Sequence, residues 1–560
     1  IWERAEWMRC RPPGVTLLPG SSSLPVPSGE ASAQWQDACR SYCEDGNALL
    51  ALGDDCGLPG LLGIRIAGRL NEGWIQWGQS AIAEGISSSF HVFDAVLAET
   101  DDSDRCGQGR LLRRRNSSPV SDTGSPAFVT RKVGRGAAAM FGFDMMKTCC
   151  LIQQGLPVIR DGIPAADGSA AIDDGILKTD DGSVLDMELD RHRLTEDGVP
   201  FFLHPTVDEM RIVLVRAIYD LHESVGVPGG QVWFWPEGLP AIGHISHDTD
   251  GHIGPLAEAM LDRLREADIR STWCHIMPGY PQSIYEKAQE DGHEMAFHYN
   301  ALGTEMPESR WSEQDARFQL DMLRAKLPGV PILTNKNHFL RWEGDVQFYR
   351  WCERSGIVVE QSKGGTKQGN KGFLFGTCHP YRPMDTAEAR NRLFPLVSLP
   401  TLAWDPPIPA RATEEEARAL LRRCLDVYGV AHFLFHPGAI HQGQAGHTPG
   451  DVLVRLCEYG RECGMAWWTA QEIWEWLQAR RGVQLHTASR ADGSLTLTVT
   501  AEQVTQGVTL LVWRQADQQL NVSAPAKAVV RSVAQKRRFG RDCGEIVLDV
   551  PAGQTELTVS

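Results

Sequence analysis

The sequence predicts a multidomain α/β protein: an α/β domain over residues 1–225, a (β/α) barrel over 226–483 and a small all-β sandwich over 484–560. Three observations predict it. From about residue 241 strands and helices alternate, with His or Asp at the strand ends, which is the pattern of a parallel barrel carrying its site on the C-terminal face. The run Gly226-Val-Pro-Gly-Gly230 breaks the chain after an amphipathic helix. Beyond about residue 484 helical spacing gives way to alternation punctuated by Gly and Asp.

A chain of 560 residues and 61.9 kDa exceeds what one core organises, so about two to four domains are expected. Its formal net charge of -16 argues against a nucleic-acid binder, because phosphate contacts need a concentrated basic face. The one basic run, Arg110 to Arg115, is short and flanked by Ser and Gly, and is read as a loop. No apolar stretch approaches the roughly 18 to 20 residues that cross a bilayer. The chain starts at Ile1 without a Met or a signal-type apolar region, so a targeting peptide is read as removed or never present. The 14 cysteines form no zinc-type Cys-x-x-Cys repeat and fit buried thiols.

In the first domain, Val15 to Leu18 predicts a strand, Ala33 to Asp45 a helix, and the apolar Ala48 to Leu52 a buried parallel strand ending in Gly-Asp-Asp. Ser89 to Leu97 repeats the strand pattern. Phe128 to Lys132 and Ala137 to Phe143 read as a hairpin, and Met145 to Gln154 as a helix. The Asp- and Gly-rich stretch from Pro157 to Asp186 reads as irregular surface structure. Val207 to Val225 is an amphipathic helix, with Met210, Val213, Leu214, Ala217, Ile218 and Leu221 at helical spacing. This order, with Gly134-Arg-Gly-Ala-Ala-Ala-Met-Phe-Gly-Phe-Asp144, resembles a class I glutamine-amidotransferase-like or flavodoxin-like domain. Such amidotransferases carry a nucleophilic Cys with a downstream His-x-Glu. Cys56 lies near a turn without that pairing, so the domain is expected to be non-catalytic.

The centre of the chain is Pro236 to His252. A short apolar strand (Ala241, Ile242, Ile245) ends in His247, Asp248, Asp250 and His252, with Gly251 allowing a sharp turn. Carboxylates this close repel unless a cation or proton sits between them; a solvated Asx turn is the plain alternative. Pro255 to Ala267 follows as a helix, Ile269 to Ile276 as a strand and Tyr280 to Asp291 as a helix. Met295 to His298 is a strand arriving at a His. Glu313 to Lys326 is a helix, Val330 to Thr334 a strand before Asn335-Lys-Asn-His338, Val346 to Ser355 a helix and Ile357 to Val359 a strand. Phe433 to Phe435 delivers His436. In the last domain Ser494 to Thr500, Val508 to Trp513, Glu545 to Val550 and Thr555 to Val559 read as strands.

The series Ile242 to Gly251, Ile269-Arg-Ser-Thr-Trp-Cys274 and Asp291-Gly-His-Glu-Met-Ala-Phe-His298 resembles a polysaccharide deacetylase domain of the carbohydrate esterase family four type. The likeness covers roughly 230 to 480. It implies Asp248 as catalytic base and Asp250 and His298 as metal ligands, with His293 structural. Asp-Thr-Asp departs from the adjacent Asp-Asp of the family. Where the family's second metal His is due stand Leu302 and Gly303, and Lys336-Asn-His338 replaces an Arg-x-Pro motif. His338 is the candidate for the vacant ligand position, with His252 in reserve. His436 looks like the family's late His, a general acid.

Two imidazoles and a carboxylate suit a divalent metal, zinc above all, with positions left for water and a carbonyl. A backbone N–H or Lys336 is a candidate oxyanion donor, and His379 and Arg382 are read as substrate contacts or as parts of a plain structural loop. Trp233, Trp235, Trp273, Trp342 and Trp404 suit either sugar stacking or the core. His441 and His447 are candidate rim residues. The expected function is a metal-dependent hydrolase removing N-acetyl groups from the amino sugars of a glycan. An inactive carbohydrate-binding protein of the same fold and a hydrolase of a non-sugar amide stay open. The resemblance also favours an extracytoplasmic or secreted location, and self-association as a homo-oligomer stays open.

Overall fold

The computed structural model describes residues 14–19, 30–100, 105–114, 120–170, 173–408, 411–513 and 520–560. The chain forms two units, neither continuous in sequence: Ile1–Cys150 with Glu209–Gly238 and Ala479–Ser560, and Leu151–Asp208 with Leu239–Gln478. These bounds differ from the expected cuts at 225 and 483. The second unit takes in the segment before the helix Thr206–Val225 and begins its main run at Leu239 rather than at 226.

The first unit holds a seven-stranded sheet in the order Val15–Pro19, Ala48–Leu52, Gly136–Phe141, Ser121–Val133, Arg105–Arg113, Ile64–Gln76, Phe90–Thr100. The first three strands run parallel and the others pair antiparallel. The sheet therefore departs from a flavodoxin-like one, which is parallel throughout. The basic run is strand through Arg113 rather than loop, because Leu111 and Leu112 are buried and fix that stretch against the sheet; Arg115 lies outside the described residues. Cys56 is fully buried, its Sγ 3.3 Å from the carbonyl of Pro19.

The same unit contains two four-stranded antiparallel sheets. One has the order Val483–Ser489, Leu495–Ala501, Gly553–Val559, Val522–Ser523; the other Val529–Arg538, Arg541–Val550, Thr505–Trp513, Gly229–Val232. Alternate residues of both, among them Leu497, Val499 and Leu557 with Leu510, Ile546 and Leu548, share one core. The strand Gly229–Val232 pairs with Thr505–Trp513, so these residues do not open the barrel unit.

The second unit is built on a curled parallel sheet in the order Val397–Ser398, Val359–Glu360, Thr334–Asn337, Glu294–Tyr299, Thr272–His275, Ile242–Asp248, Val430–Leu434, Ala403–Trp404, with Ala466–Trp467 also paired to Ile242–Asp248. All of these ladders are parallel. The path has two ends, which corrects the expectation of a closed barrel. Its end strands Val397–Ser398 and Ala403–Trp404 are joined by only Leu399-Pro-Thr-Leu402, and parallel neighbours need a crossover of about a dozen residues or more.

The central strand Ile242–Asp248 is buried along its whole length, as a parallel strand covered on both faces must be. Gly243 admits the indole of Trp467 there: a Cβ on Gly243 would stand 2.5 Å from the ring. The following helix, Gly254–Glu266, buries Ala257, Met260, Leu261 and Leu264, the spacing of one helix face. One strand begins later than expected. Residues 330–333 carry Pro331, which has no N–H for a ladder, and the paired residues are Thr334–Asn337. That shift puts Lys336 inside the sheet and leaves His338 just beyond its C-terminal end.

Candidate metal centre

The parallel register sets the site. Cys274 pairs with Asp248 and His298 pairs with Lys336, so the ends of Ile242–Asp248, Glu294–Tyr299 and Thr334–Asn337 converge on one rim. Beyond Asp248 the chain turns through Gly251, at φ 74°, a left-handed conformation suited to glycine. Thr249 pins that turn to the next strand: its N–H donates to Cys274 O, and its Oγ1 accepts from the N–H of Ile276.

Asp250, His298 and His338 come together there. His298 Nε2 lies 3.2 Å from His338 Nδ1 and 3.4 Å from Asp250 Oδ1, and His338 Nδ1 lies 3.3 Å from the same oxygen. Ligand atoms about 2.1 Å from a tetrahedral cation stand roughly 3.4 Å apart, so the three fit one face of such a shell. His298 Nδ1 sits 2.9 Å from the carbonyl of Lys336, which can only accept; the ring proton is therefore on Nδ1 and Nε2 presents its lone pair to the centre. Asp250 Oδ1 is buried and makes no hydrogen bond among the described residues. No other group of three ligand-type residues converges in this way among the described residues.

The electrostatics agree. Burial alone would raise the Asp250 carboxyl, but the imidazoles of His298 and His338 hold it well below the usual carboxylate range. Burial would lower His298, but Asp248 and Asp250 outweigh it and raise the ring. Lone pairs this close require a positive charge between them, either a proton or a divalent cation.

Two further groups flank the trio. Asp248 is buried, with Oδ2 3.7 Å from His298 Nε2 and Oδ1 3.5 Å from Lys336 Nζ. On the other side His436 directs Nε2 to within 3.8 Å of Asp250 Oδ2. Its Nδ1–H donates to Asp405 Oδ2 and its backbone N–H to Asp405 Oδ1, both at 2.7 Å. Burial depresses His436, but Asp405 first, then Asp250 and Asp248, overcome it and lift the ring to about 9. Asp405, completely buried and also paired with Arg411, was missed in the sequence reading. Its signal was there: it is an Asp ending the short strand Ala403–Trp404.

Several candidates stand elsewhere. His252 gives Nε2 to the carbonyl of Ile276 at 2.9 Å, with its ring edge-on to Tyr280, and is not among the converging ligands. Lys336 is fully buried, hydrogen-bonded to Ser246, and its Nζ is turned to the Asp248 carboxylate. His379 directs Nε2 to the carbonyl of Val427 at 2.8 Å, before the strand Val430–Leu434 begins, whereas His436 follows that strand's end. Arg382 donates to the carbonyls of Phe394 and Leu393. These are contacts that hold loops. His293 accepts the N–H of Ser271 at Nδ1 and lies in the buried support below. Trp233, Trp235, Trp273 and Trp342 are core, and Trp404 is half-buried. His441 and His447 are exposed.

No family model and no curated protein sequence matches the chain. Solved structures are similar over part of it. A family 4 acetyl xylan esterase from Clostridium thermocellum, in complex with a cobalt ion, shares 16% identity over 42% of this chain and 91% of that one, with a TM-score of 0.26. The Xyl-CE4 domain of a multidomain xylanase from the hindgut metagenome of Trinervitermes trinervoides shares 14% over 45% and 98%, with a TM-score of 0.25. A mutant of the peptidoglycan deacetylase PdaC from Bacillus subtilis shares 12% over 44% and 96%, with a TM-score of 0.25. Each likeness spans less than half of this chain. No helix among the described residues is long and apolar enough to cross a membrane.

Proposed function

We propose that the protein is a metal-dependent amide hydrolase that removes the N-acetyl group from amino sugars of a glycan. The observation that carries this reading is the three-atom convergence of Asp250, His298 and His338, with a buried carboxylate on one side and a carboxylate-backed imidazole on the other. The ligand trio suits zinc or another first-row divalent cation, which when bound supplies Lewis acidity to a carbonyl and to an attacking water.

The chain's own residues do the rest. Asp248 accepts the proton of the water as it attacks the acetamide carbonyl carbon. The Lys336 ammonium stands 3.5 Å from that carboxylate's Oδ1. His436, protonated on Nε2 and oriented through Nδ1 by Asp405, donates a proton to the departing nitrogen. The C–N bond breaks, giving acetate and a free amine. The sugar part of the reading rests on the resemblance of residues 242–298 to polysaccharide deacetylases.

The test measures metal content and acetate release together, on the full chain loaded with zinc or cobalt and given N-acetylated chito-oligosaccharides. Acetate released in proportion to bound metal supports the reading. A metal-loaded, folded protein that frees no acetate from these or from a simple aryl acetamide overturns it. Turnover of the acetamide alone would leave the hydrolase standing and remove the glycan.

A further inference from the structure

Below the site, inside the curled sheet, lies a chain of hydrogen bonds whose direction is fixed at both ends. His432 Nδ1 is 3.0 Å from the carbonyl of Pro400. A carbonyl only accepts, so Nδ1 carries a proton. His432 is completely buried, and burial with the nearby His244 and Lys336 pushes it well below its ordinary value, so the ring is neutral and Nε2 is bare. Ser246 Oγ, 2.8 Å from that Nε2, must therefore donate its hydrogen to it. The lone pair of Ser246 Oγ then faces Lys336 Nζ, which donates to it. The ammonium stands 3.5 Å from Asp248 Oδ1, an oxygen that makes no hydrogen bond of its own among the described residues.

The placement follows from sheet geometry. Ser246 and Asp248 are two residues apart on one strand and share a face. His432 lies on the neighbouring strand Val430–Leu434, and Lys336 enters from three strands away on the other side. A buried ammonium requires acceptors, and one removed partner leaves it free to move. We infer that Ser246 and His432 are positioning residues of the reaction: they fix the Lys336 ammonium, which fixes the carboxylate of Asp248. Neither touches the ligand trio or the rim. The inference rests on the reading of Asp248 as the base.

The experiment uses the full-length, zinc-loaded chain with Ser246→Ala, His432→Leu and His432→Gln, the last placing an amide oxygen where Nε2 accepts. Ser246→Ala and His432→Leu are expected to lower kcat by up to about 100-fold, the scale of a misplaced catalytic group, with KM and zinc content little changed. His432→Gln is expected to recover most of that loss. The double variant Ser246→Ala/His432→Leu is expected to be no worse than the single ones, as members of one network are not additive. Wild-type kcat in folded, zinc-loaded Ser246→Ala overturns the inference. A crystal structure of Ser246→Ala separates this from failure of the functional reading. Displacement of Lys336 Nζ and rotation of the Asp248 carboxylate support the positioning role even if the wild type turns over no acetamide. Both groups unmoved overturn it whatever the activity.

Discussion

Asp405 holds His436 by two hydrogen bonds to one residue, accepting from the ring Nδ1–H on Oδ2 and from the backbone N–H on Oδ1, each at 2.7 Å. The two bonds fix both the ring's tautomer and its position, and leave Nε2 turned toward Asp250 of the converging trio. Because the pair is completely buried on the Asp405 side, the charge is little screened.

That pairing sets the pH dependence. The folded-state value of His436 is raised to about 9, so its acid form persists through neutral pH and is lost as pH rises through that value. Turnover that needs a proton from His436 should fall along the same limb. A cation at Asp250 offsets part of that carboxylate's contribution and brings the limb lower. Asp405→Asn keeps an acceptor for the backbone N–H but removes the charge, so the limb should move to lower pH. The measurement is kcat against pH; a limb unmoved in Asp405→Asn would separate His436 from the proton transfer.

The ligand trio makes a second expectation. Asp250→Ala and His338→Ala should each weaken zinc binding by more than the roughly 10- to 100-fold typical of losing a supporting hydrogen bond, because each removes a converging atom itself. His252→Ala should bind zinc like the wild type, since Nε2 is committed to the Ile276 carbonyl. Competition with a chromogenic chelator reads both. Weak binding in His252→Ala with full binding in His338→Ala would transfer the third ligand to the opening turn.

A third expectation separates base and acid from ligands. Asp248→Asn and His436→Ala should retain metal while kcat falls by about 10²- to 10⁴-fold, the usual weight of general base and general acid catalysis. The loss in His436→Ala should shrink for acetamides with good leaving groups, where protonating nitrogen matters less. Equal losses across a leaving-group series would remove His436 from the acid role.

The sequence made the converging groups legible because they stand at strand ends. Asp248, Asp250 and His298 follow apolar runs, and His338 is the candidate for the position that Leu302 and Gly303 leave vacant; Asp250, His298 and His338 do meet in the fold. Lys336 was placed wrongly for a definite reason: reading the strand at Val330 to Thr334 put it on a loop, while the ladder begins at Thr334 and buries it. Asp405 was missed because its strand has two residues, too short for periodicity to register. His379 and Arg382 read equally as substrate contacts or as a structural loop, since nothing local tells a loop that lines a site from one that ties strands together. The expected cuts at 225 and 483 differ from the unit bounds through pairing between distant segments: Gly229–Val232 pairs with Thr505–Trp513, which no local pattern announces.

The last expectation concerns Leu151–Asp208, the segment that shares a unit with the curled sheet. It is almost without regular structure, yet it is tied down by buried polar groups. Thr179 Oγ1 donates to the carbonyl of Ser362 at 2.8 Å. Asp180 accepts from the N–H groups of Thr366 and Lys367 and from Asn370 Nδ2. Asp208 takes the hydroxyl of Thr377 and the N–H of Cys378, both at 2.7 Å. A fragment of residues 226–484 would lack the Asp180 and Asp208 acceptors of Thr366, Lys367, Asn370, Thr377 and Cys378 and the Thr179 donor to the Ser362 carbonyl, and each group left buried without its partner costs about 1–3 kcal/mol. Several together approach the whole stability of a domain, about 5–15 kcal/mol. That fragment should therefore be insoluble or unfolded. In the full chain, Asp208→Ala should lower stability by about 1.5–3 kcal/mol, the range for hydrogen bonds to a charged group. Circular dichroism and urea titration read both. A 226–484 fragment that unfolds cooperatively, with an Asp208→Ala chain as stable as the wild type, would show the segment to be a dispensable covering.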